Sequence, residues 1–257
     1  MTSVAFDSFE LNSGFFRVNK CDTESSPAKI TTMLQLARAH GSKRVFEKYD
    51  AKNIVVSGMI VCTTQVELQD QTDLLKNWLR RESGALRRDY STGYREWVCT
   101  AKNVIVPIAQ ENISFGPYSI EFECESPFAT DGVTDTWMNA TAITTATSDT
   151  NITVNGTMDG QPVITITVTA INPTVSDVTM TIANTSNSQY LDITATFAAG
   201  DIVTVDCENN RVFINGILVK SSGQFPYWPT GAGVVHYEDT ATTRTLAVTA
   251  TSERRYL

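Results

Sequence analysis

Hydrophobic and polar residues alternate with a period of two through much of the chain, and the character of that alternation changes near residue 130. Residues 53–62 have apolar side chains at alternate positions around Gly58, which predicts a half-buried strand that bends at the glycine. Residues 119–125 alternate Ile120, Phe122 and Cys124 with three glutamates, which predicts an amphipathic strand whose glutamates face solvent. Residues 86–99 predict two strands joined by a Ser-Thr-Gly turn, and another short strand follows them.

One segment of the first half has the periodicity of a helix. Its apolar stripe consists of Leu74, Leu75, Trp78 and Leu79. Asp70 is the expected N-cap, and Gly84 the expected stop. We therefore expect one amphipathic helix near 70–83, packed on a sheet.

Residues 11–48 match no compact element. They contain a polar stretch, 21–29, and then a short segment compatible with a helix, 30–40. A long excursion of this kind is either a poorly ordered arm or a segment that docks on another molecule.

The second half contains short strands rich in threonine, separated by Asn, Gly, Asp or Pro at intervals of about ten residues. This pattern is typical of an antiparallel sandwich. Asn209-Asn210 and Asn215-Gly216 are turn signals that predict two successive tight hairpins. The segment 126–135 has no periodicity, so we expect the domain boundary there, with domains at 1–130 and 131–257.

The chain has enough apolar residues to form hydrophobic cores, because 42% of its 257 residues are hydrophobic and 19% are charged. Residues 131–257 contain 5 lysines and arginines against 12 aspartates and glutamates, whereas residues 1–130 contain 15 against 16. An acidic second half argues against direct binding of duplex DNA. The first twenty residues carry no recognisable secretory signal and no apolar run has the length of a membrane span, so we expect synthesis in a cytoplasm and no membrane insertion.

The residues that usually carry catalysis are sparse. The five cysteines are dispersed without any CxxC spacing, so we expect them to be reduced and mostly buried. His40 and His236 are the only histidines, and the motifs of nucleotide binding, zinc proteolysis and serine hydrolysis are absent. We expect no enzyme, no metal and no cofactor.

Three alternatives for a chemical site remain open. A cysteine nucleophile would have to pair with His40 or His236. Carboxylates for glycoside hydrolysis would come from the strand 119–125, where spacing instead favours a solvent-facing row. A calcium site would draw on carboxylates that fit turns and loops better: Asp131, Asp135, Asp201 and Asp206.

One aromatic loop suggests a different function. Phe225, Tyr227 and Trp228 lie in the proline-flanked sequence QFPYWPTG. Such a cluster either closes one end of a sandwich core or forms a platform for stacking on a sugar. Tyr227 and Trp228 are therefore the candidate carbohydrate contacts of an alternative hypothesis, in which the chain is a host-surface carbohydrate-binding module.

The order of the segments resembles the distal tail protein (Dit) family of long-tailed phages with non-contractile, siphovirus-type tails. In the first half the resemblance rests on the strand 44–61, the following helix, the hairpin 86–99 and the strand that runs into Ser-Pro-Phe at 119–128. In the second half it rests on a Gly-Asp strand, a turn and Asn-Gly at 200–219, followed by the proline-aromatic loop at 223–235.

The resemblance implies an all-β fold with one helix, in which an N-terminal barrel-like or sandwich-like domain forms a ring and the C-terminal domain is a galectin-like, jelly-roll sandwich. It further implies a homohexamer that joins the tail tube protein to the tail-tip hub, passes DNA as cargo and holds receptor-binding or side-fibre proteins on its C-terminal domains. Residues 11–48 would be the arm that reaches a neighbouring subunit. Exposed strand edges such as 119–125 would serve the contacts of the ring.

Overall fold

The computed structural model describes residues 3–35, 42–106, 114–173 and 175–257. The chain divides into two compact units, Met1–Asp131 together with Leu257, and Gly132–Tyr256. Within the described ranges each unit is built from antiparallel strands, with a single helix in the first. The predicted class, all-β with one helix, is confirmed. No helix among these residues is both long enough and apolar enough to span a bilayer.

The first unit consists of a curved sheet, a two-stranded hairpin and the helix. Its elements are β1 Val4–Phe6, β2 Phe9–Glu10, β3 Phe16–Cys21, β4 Lys29–Gln35, β5 Ser42–Tyr49, β6 Asn53–Val61, α1 Gln65–Leu79, β7 Gly84–Tyr90, β8 Gly93–Ile105 and β9 Phe115–Cys124. The sheet has the order β3-β6-β9-β8-β7-β1-β2. Aromatic rings of β2 and β3, Phe9 and Phe16, meet with centroids 5.2 Å apart, which brings the two ends of the curved sheet together.

The period-two pattern identified the core faces of β6 and β9. Ile54, Val56 and Ile60 are buried on β6, and Ile120 and Phe122 are buried on β9. The proposed edge role of 119–125 is wrong, because β9 pairs with β6 on one side and with β8 on the other. Its backbone groups are used within the sheet, so this strand offers no free edge to a neighbour.

The helix begins and ends earlier than the sequence predicted. Thr64, not Asp70, is the N-cap: its Oγ1 accepts a hydrogen bond from the Glu67 amide at 3.2 Å. The Glu67 carboxylate in turn accepts from the amide and hydroxyl of Thr63, at 2.9 and 2.6 Å. These reciprocal bonds satisfy free amides of the first turn and fix the start. The apolar stripe also shifts, since Leu74 is exposed whereas Leu75 and Leu79 are buried.

Gly84 opens β7 instead of ending the helix. A Cβ atom at this position would lie 2.7 Å from Cζ of Phe6, which is fully buried beneath it. The glycine is therefore required by the close approach of β7 to the Phe6 ring, and the helix ends at Leu79 without it.

The excursion 11–48 is more regular than its sequence indicated. Residues 16–21 form β3 and belong to the main sheet, and residues 29–35 and 42–49 form the hairpin β4–β5. The segment 30–40 was compatible with a helix by sequence, but residues 30–35 are a strand, and residues 36–40 lie outside the described residues. Ile30, Thr31 and Thr32 are β-branched, and such side chains favour a strand when a partner strand is available.

The second unit is a sandwich of two antiparallel sheets. Its strands are β10 Ala129–Ile143, which begins in the last residues of the first unit, β11 Thr147–Val154, β12 Val163–Asn172, β13 Val178–Asn184, β14 Gln189–Ala195, β15 Ile202–Asp206, β16 Arg211–Ile214, β17 Ile217–Val219, β18 Ser222–Gly223, β19 Gly231–Asp239 and β20 Thr243–Tyr256. One sheet has the order β17-β16-β15-β12-β20-β10, and the other has the order β11-β19-β13-β14-β18. Inward side chains of both sheets form one hydrophobic core.

The two tight hairpins predicted from Asn209-Asn210 and Asn215-Gly216 are confirmed as the connections β15–β16 and β16–β17. Asn210 and Asn215 have φ angles of +54° and +51°, which asparagine tolerates better than most residues. The Asn215 side chain also donates to Asp201 Oδ1 at 2.8 Å and accepts from the Ile202 amide at 2.9 Å. The Gly-Asp and Asn-Gly pairs of the sequence pattern are thus hydrogen-bonded to each other at one end of the hairpin β15–β16.

Candidate assembly site

The hairpin β4–β5, called the arm hairpin below, is a candidate for contact between subunits. Among the described strands, β4 and β5 pair only with each other, so each has one unpaired edge. Unpaired edges are a ready template for another strand. The arm hairpin therefore has the form expected of a segment that completes its hydrogen bonding on another molecule.

The chain that leads into the arm hairpin is held by a buried lysine. Lys52 is almost fully buried, and its Nζ donates a hydrogen bond to the Thr23 carbonyl at 2.6 Å. The same ammonium lies 5.1 Å from the centroid of the Trp97 ring. Burial lowers the pKa of Lys52, and electrostatic attraction to Cys124, Asp22 and Cys21 opposes that shift.

Arg88 of β7 holds the same segment from a second direction. Its guanidinium donates to the Cys21 carbonyl at 3.1 Å and to the Thr23 hydroxyl, and it pairs with Glu24 Oε1 at 3.2 Å. The Thr23 hydroxyl also bonds the Tyr90 hydroxyl at 3.0 Å. The entry to the arm hairpin is consequently fixed to the main sheet even though the hairpin itself is not part of it.

The exit from the arm hairpin has an aromatic contact. The ring of Tyr49, at the end of β5, meets the ring of Phe128 edge to face with centroids 5.3 Å apart. Phe128 is the phenylalanine of the Ser-Pro-Phe motif on which the family resemblance partly rests. Within this unit the motif thus supports the base of the arm hairpin.

An apolar patch, called the outer patch below, lies on the outward face of the main sheet. Val61 of β6 is in register with Phe115 of β9, and the Val61 amide donates to the Phe15 carbonyl at 2.8 Å, which places three exposed apolar residues side by side. Phe115 and Val61 are 54% and 48% exposed. Met59 and Pro117 are the next outward pair in the same register. Contiguous apolar surface of this kind commonly marks a protein contact.

The candidate chemical residues do not form a catalytic or metal site in the part of the chain that the structure describes. No group of three or more metal-ligating side chains occurs there, and none of the five cysteines is in a disulfide. His236 binds Asp149 with Nδ1 at 2.6 Å from Oδ1, whereas His40 lies outside the described residues. Glu123 pairs with Lys102 at 2.5 Å.

The carboxylates considered for calcium have protein partners instead. Asp206 accepts from the amide and side chain of Asn209 at 3.0 and 2.8 Å, in the turn β15–β16. Asp135 accepts two bonds from the Arg254 guanidinium, at 2.9 and 2.7 Å. Burial alone would raise the pKa of Asp135, but its hydrogen bonds from Arg254 and Asn155 hold it below the usual range.

The structure corrects the assignment of Trp228 as a sugar contact. This indole is 0% exposed, donates from Nε1 to the Val234 carbonyl at 2.8 Å and packs edge to face on Trp137 with centroids 5.5 Å apart. A ring with no exposed face cannot stack on a ligand, so Trp228 closes the sandwich core. Tyr227 is half-buried, and its carbonyl accepts from Asn184 and Asn187 at 2.7 and 3.1 Å.

Comparison with known proteins connects this geometry to a class. Residues 155–256 match a family model described as the C-terminal domain of a siphovirus-type tail component. No curated protein matches the sequence. The second unit therefore carries the sequence signature of siphovirus tail components, and the resemblance to distal tail proteins is confirmed.

Among solved structures, the full chain has the fold of the Dit protein of phage SPP1. The TM-score is 0.65 at 16% identity, with 100% of both chains covered, and that structure is described as a paradigm of the hub adsorption apparatus in phages that infect Gram-positive bacteria. A chain from the activated baseplate of phage P2 is more distantly similar, with a TM-score of 0.44, 7% identity and 97% of each chain covered.

Several residues of the candidate assembly site were not predicted from the sequence. Lys52, Thr23 and Arg88 are far apart in the chain, and no local pattern connects them. One signal could have revealed the outer patch: Val61 and Phe115 are apolar at outward positions of β6 and β9, where an alternating strand normally has polar residues.

Proposed function

We propose that this chain is a distal tail protein, a structural component of a siphovirus-type virion that is made in the host cytoplasm and performs no catalysis. Six copies form a ring that joins the tail tube to the tail-tip hub and lets DNA pass as cargo. The observation that carries this proposal is the correspondence of fold over the whole length of SPP1 Dit, together with the family match of residues 155–256.

In this proposal the first unit forms the ring. A closed ring needs two different surfaces on each subunit, because one surface of a copy contacts the other surface of the next copy. The arm hairpin with its unpaired edges and the outer patch with its exposed Val61 and Phe115 are two such surfaces. We assign the arm hairpin of one subunit and the outer patch of its neighbour to the ring contact.

The second unit, in the same proposal, holds peripheral adsorption proteins. Residues 131–257 contain 12 acidic against 5 basic residues, and an acidic surface of this kind does not bind the phosphates of DNA tightly. That balance is compatible with a position outside the DNA channel.

The ring is tested by solution mass and by imaging. Light scattering of the purified chain should give about six times its mass of 28.2 kDa, and negative-stain images should show a ring with a central hole. Phe115→Lys places a charge in the outer patch and should reduce the mass to that of smaller species. The matched control, Val163→Lys, changes an exposed valine of the second unit and should leave the ring intact.

A wild-type mass that stays at one chain at high concentration, both alone and with the adjoining tail proteins, would remove the ring from the proposal. A hexamer that is unaffected by Phe115→Lys would retain the ring but exclude the outer patch from its contacts.

The alternative carbohydrate function now depends on Tyr227 alone, and its test is a glycan array. Because the Trp228 faces are buried, any binding through this loop should be lost in Tyr227→Ala and retained in Phe213→Ala, which removes a half-buried ring of β16 in the other sheet of the second unit. Absence of binding by the wild-type protein would exclude this alternative.

A further inference from the structure

Two cysteines of the first unit lie directly opposite each other in the main sheet. Cys99 of β8 and Cys124 of β9 are register partners, although they are separated by a long connection in the sequence. Both are fully buried, and both side chains occupy the inward face of the sheet. This pairing is produced by the strand register and has no counterpart in a local sequence motif.

The hydrogen-bond pattern places this pair at a position where side chains come close. The Glu125 amide donates to the Val98 carbonyl at 2.9 Å, so residues 98 and 125 are a hydrogen-bonded pair and the next pair, Cys99 and Cys124, is not. The Cys124 amide accordingly points away, to the Lys52 carbonyl at 2.8 Å. In pairs without mutual hydrogen bonds the Cα atoms are about 4.5 Å apart, within the range of roughly 4.4 to 6.8 Å that a disulfide spans.

The surroundings of the two thiols shift their pKa values in opposite directions. The Cys99 thiol donates a hydrogen bond to Cys124, and with the charge of Lys52 nearby this bond outweighs burial and lowers the pKa of Cys124. The pKa of Cys99, as the donor, is raised. Because a lower pKa makes a thiol easier to deprotonate for attack, Cys124 is the sulfur that we expect to react first.

We propose that Cys99 and Cys124 are a redox modification site, at which a small peroxide converts the buried thiol pair into a disulfide that crosslinks β8 to β9. This inference stands independently of the proposed ring. A peroxide is the oxidant that suits a buried pair, because its size allows entry through small fluctuations of the packing, whereas a larger disulfide reagent would need the strands to separate.

The chemistry balances with hydrogen peroxide as the co-reactant. The Cys124 sulfur attacks one peroxide oxygen, the O–O bond breaks, and the hydroxide that leaves takes the thiol proton to form water, so that Cys124 becomes a sulfenic acid. The Cys99 sulfur then attacks the Cys124 sulfur; the S–S bond forms, the S–O bond breaks, and a second water leaves with the Cys99 proton. The two thiols are oxidised by two electrons, and one peroxide is reduced to two waters.

The test uses the full chain, reduced and then treated with hydrogen peroxide. After quenching, unfolding and alkylation, three of the five cysteines should be alkylated, and the intact mass should show the loss of two hydrogen atoms before alkylation. Cleavage after glutamate separates all five cysteines, since Glu96 precedes the Cys99 peptide and Glu123 the Cys124 peptide. The linked peptides should contain Cys99 and Cys124 and should separate on reduction.

Matched variants distinguish this pair from the other cysteines. Cys99→Ala and Cys124→Ala should form no internal disulfide, whereas Cys207→Ala, which removes a buried cysteine of the second unit, should oxidise as the wild type does. The oxidised wild type should melt roughly 5–10 °C above its reduced form in the transition of the first unit, a shift that dithiothreitol reverses.

Three results would overturn the inference, and the first two need no variant. They are full alkylation of both Cys99 and Cys124 after peroxide treatment of the folded protein, a disulfide that involves a different cysteine, and an internal disulfide that forms equally in Cys99→Ala.

Discussion

Removing the guanidinium of Arg244 should destabilise the second unit strongly, because it leaves a buried carboxylate without its counter-ion. The Arg244 and Asp239 side chains are 7% and 0% exposed. Arg244 Nε donates to both carboxylate oxygens at 3.0 Å, Nη2 donates to Oδ1 at 2.8 Å, and Nη2 also bonds the Ala241 carbonyl. This pair fixes the connection between β19 and β20.

The size of the stability loss depends on which hydrogen bonds Asp239 keeps when Arg244 is replaced by methionine. Loss of one partner of a buried ion pair costs about 3–5 kcal/mol. The Asp239 carboxylate still accepts from the Tyr237 hydroxyl at 2.9 Å and the Ala241 amide at 2.8 Å, so we expect the lower end of that range. For Arg244→Met we therefore predict a loss of about 3 kcal/mol, which lowers the melting temperature of the second unit by roughly 10 °C.

Differential scanning calorimetry of the full chain is the assay, because it measures the melting temperature directly. Arg211→Met, at an exposed arginine of the same unit, is the control and should change stability by less than about 0.5 kcal/mol. In the double variant Arg244→Met with Asp239→Asn, the amide needs no counter-ion, and the total loss should be smaller than the sum of the single losses. Additive losses, or a loss below about 1 kcal/mol for Arg244→Met, would refute the argument from an uncompensated buried charge.

Two further predictions concern the first unit. Glu67→Gln should lower the urea midpoint at pH 7, whereas Asp70→Asn should not, because the N-cap bonds belong to Thr63, Thr64 and Glu67. Hydrogen bonds from Thr63 lower the folded-state pKa of Glu67. The stability that Glu67 contributes is therefore complete above its unfolded-state pKa of about 4.3 and is lost as the pH falls through its folded-state pKa. A difference in urea midpoint between wild type and Glu67→Gln that persists unchanged at pH 2 would contradict this assignment. Lys52→Met leaves the buried Thr23 carbonyl without its donor, so it should lower the free energy of unfolding by about 1–2 kcal/mol and increase proteolysis near the base of the arm hairpin. The control is Lys48→Met, which changes an exposed lysine. Equal proteolysis of both variants would show that Lys52 does not hold this segment.

Local sequence was sufficient for many strands and for the faces that they bury. The alternation at 53–61 and 119–124 predicted β6, β9 and their inward residues, and the asparagine turns predicted two hairpins of the second unit. It was insufficient for β10, where residues 129–136 show no alternation of buried and exposed positions. It was also misleading at the helix start, because Asp70 and Thr64 are both acceptable caps and only the hydrogen bonds of Glu67 distinguish them.

The sequence by itself determined the all-β class with one helix, the core faces of its regular strands and the resemblance to distal tail proteins, since these depend on residues within one segment or on the order of segments. The tertiary structure alone decided that β9 is internal to its sheet, that Trp228 belongs to the core, that Lys52 holds Thr23 and that Cys99 lies opposite Cys124. Each of these depends on which distant segments pair and in what register, and a shift of one residue along a strand would reverse the face of every side chain on it.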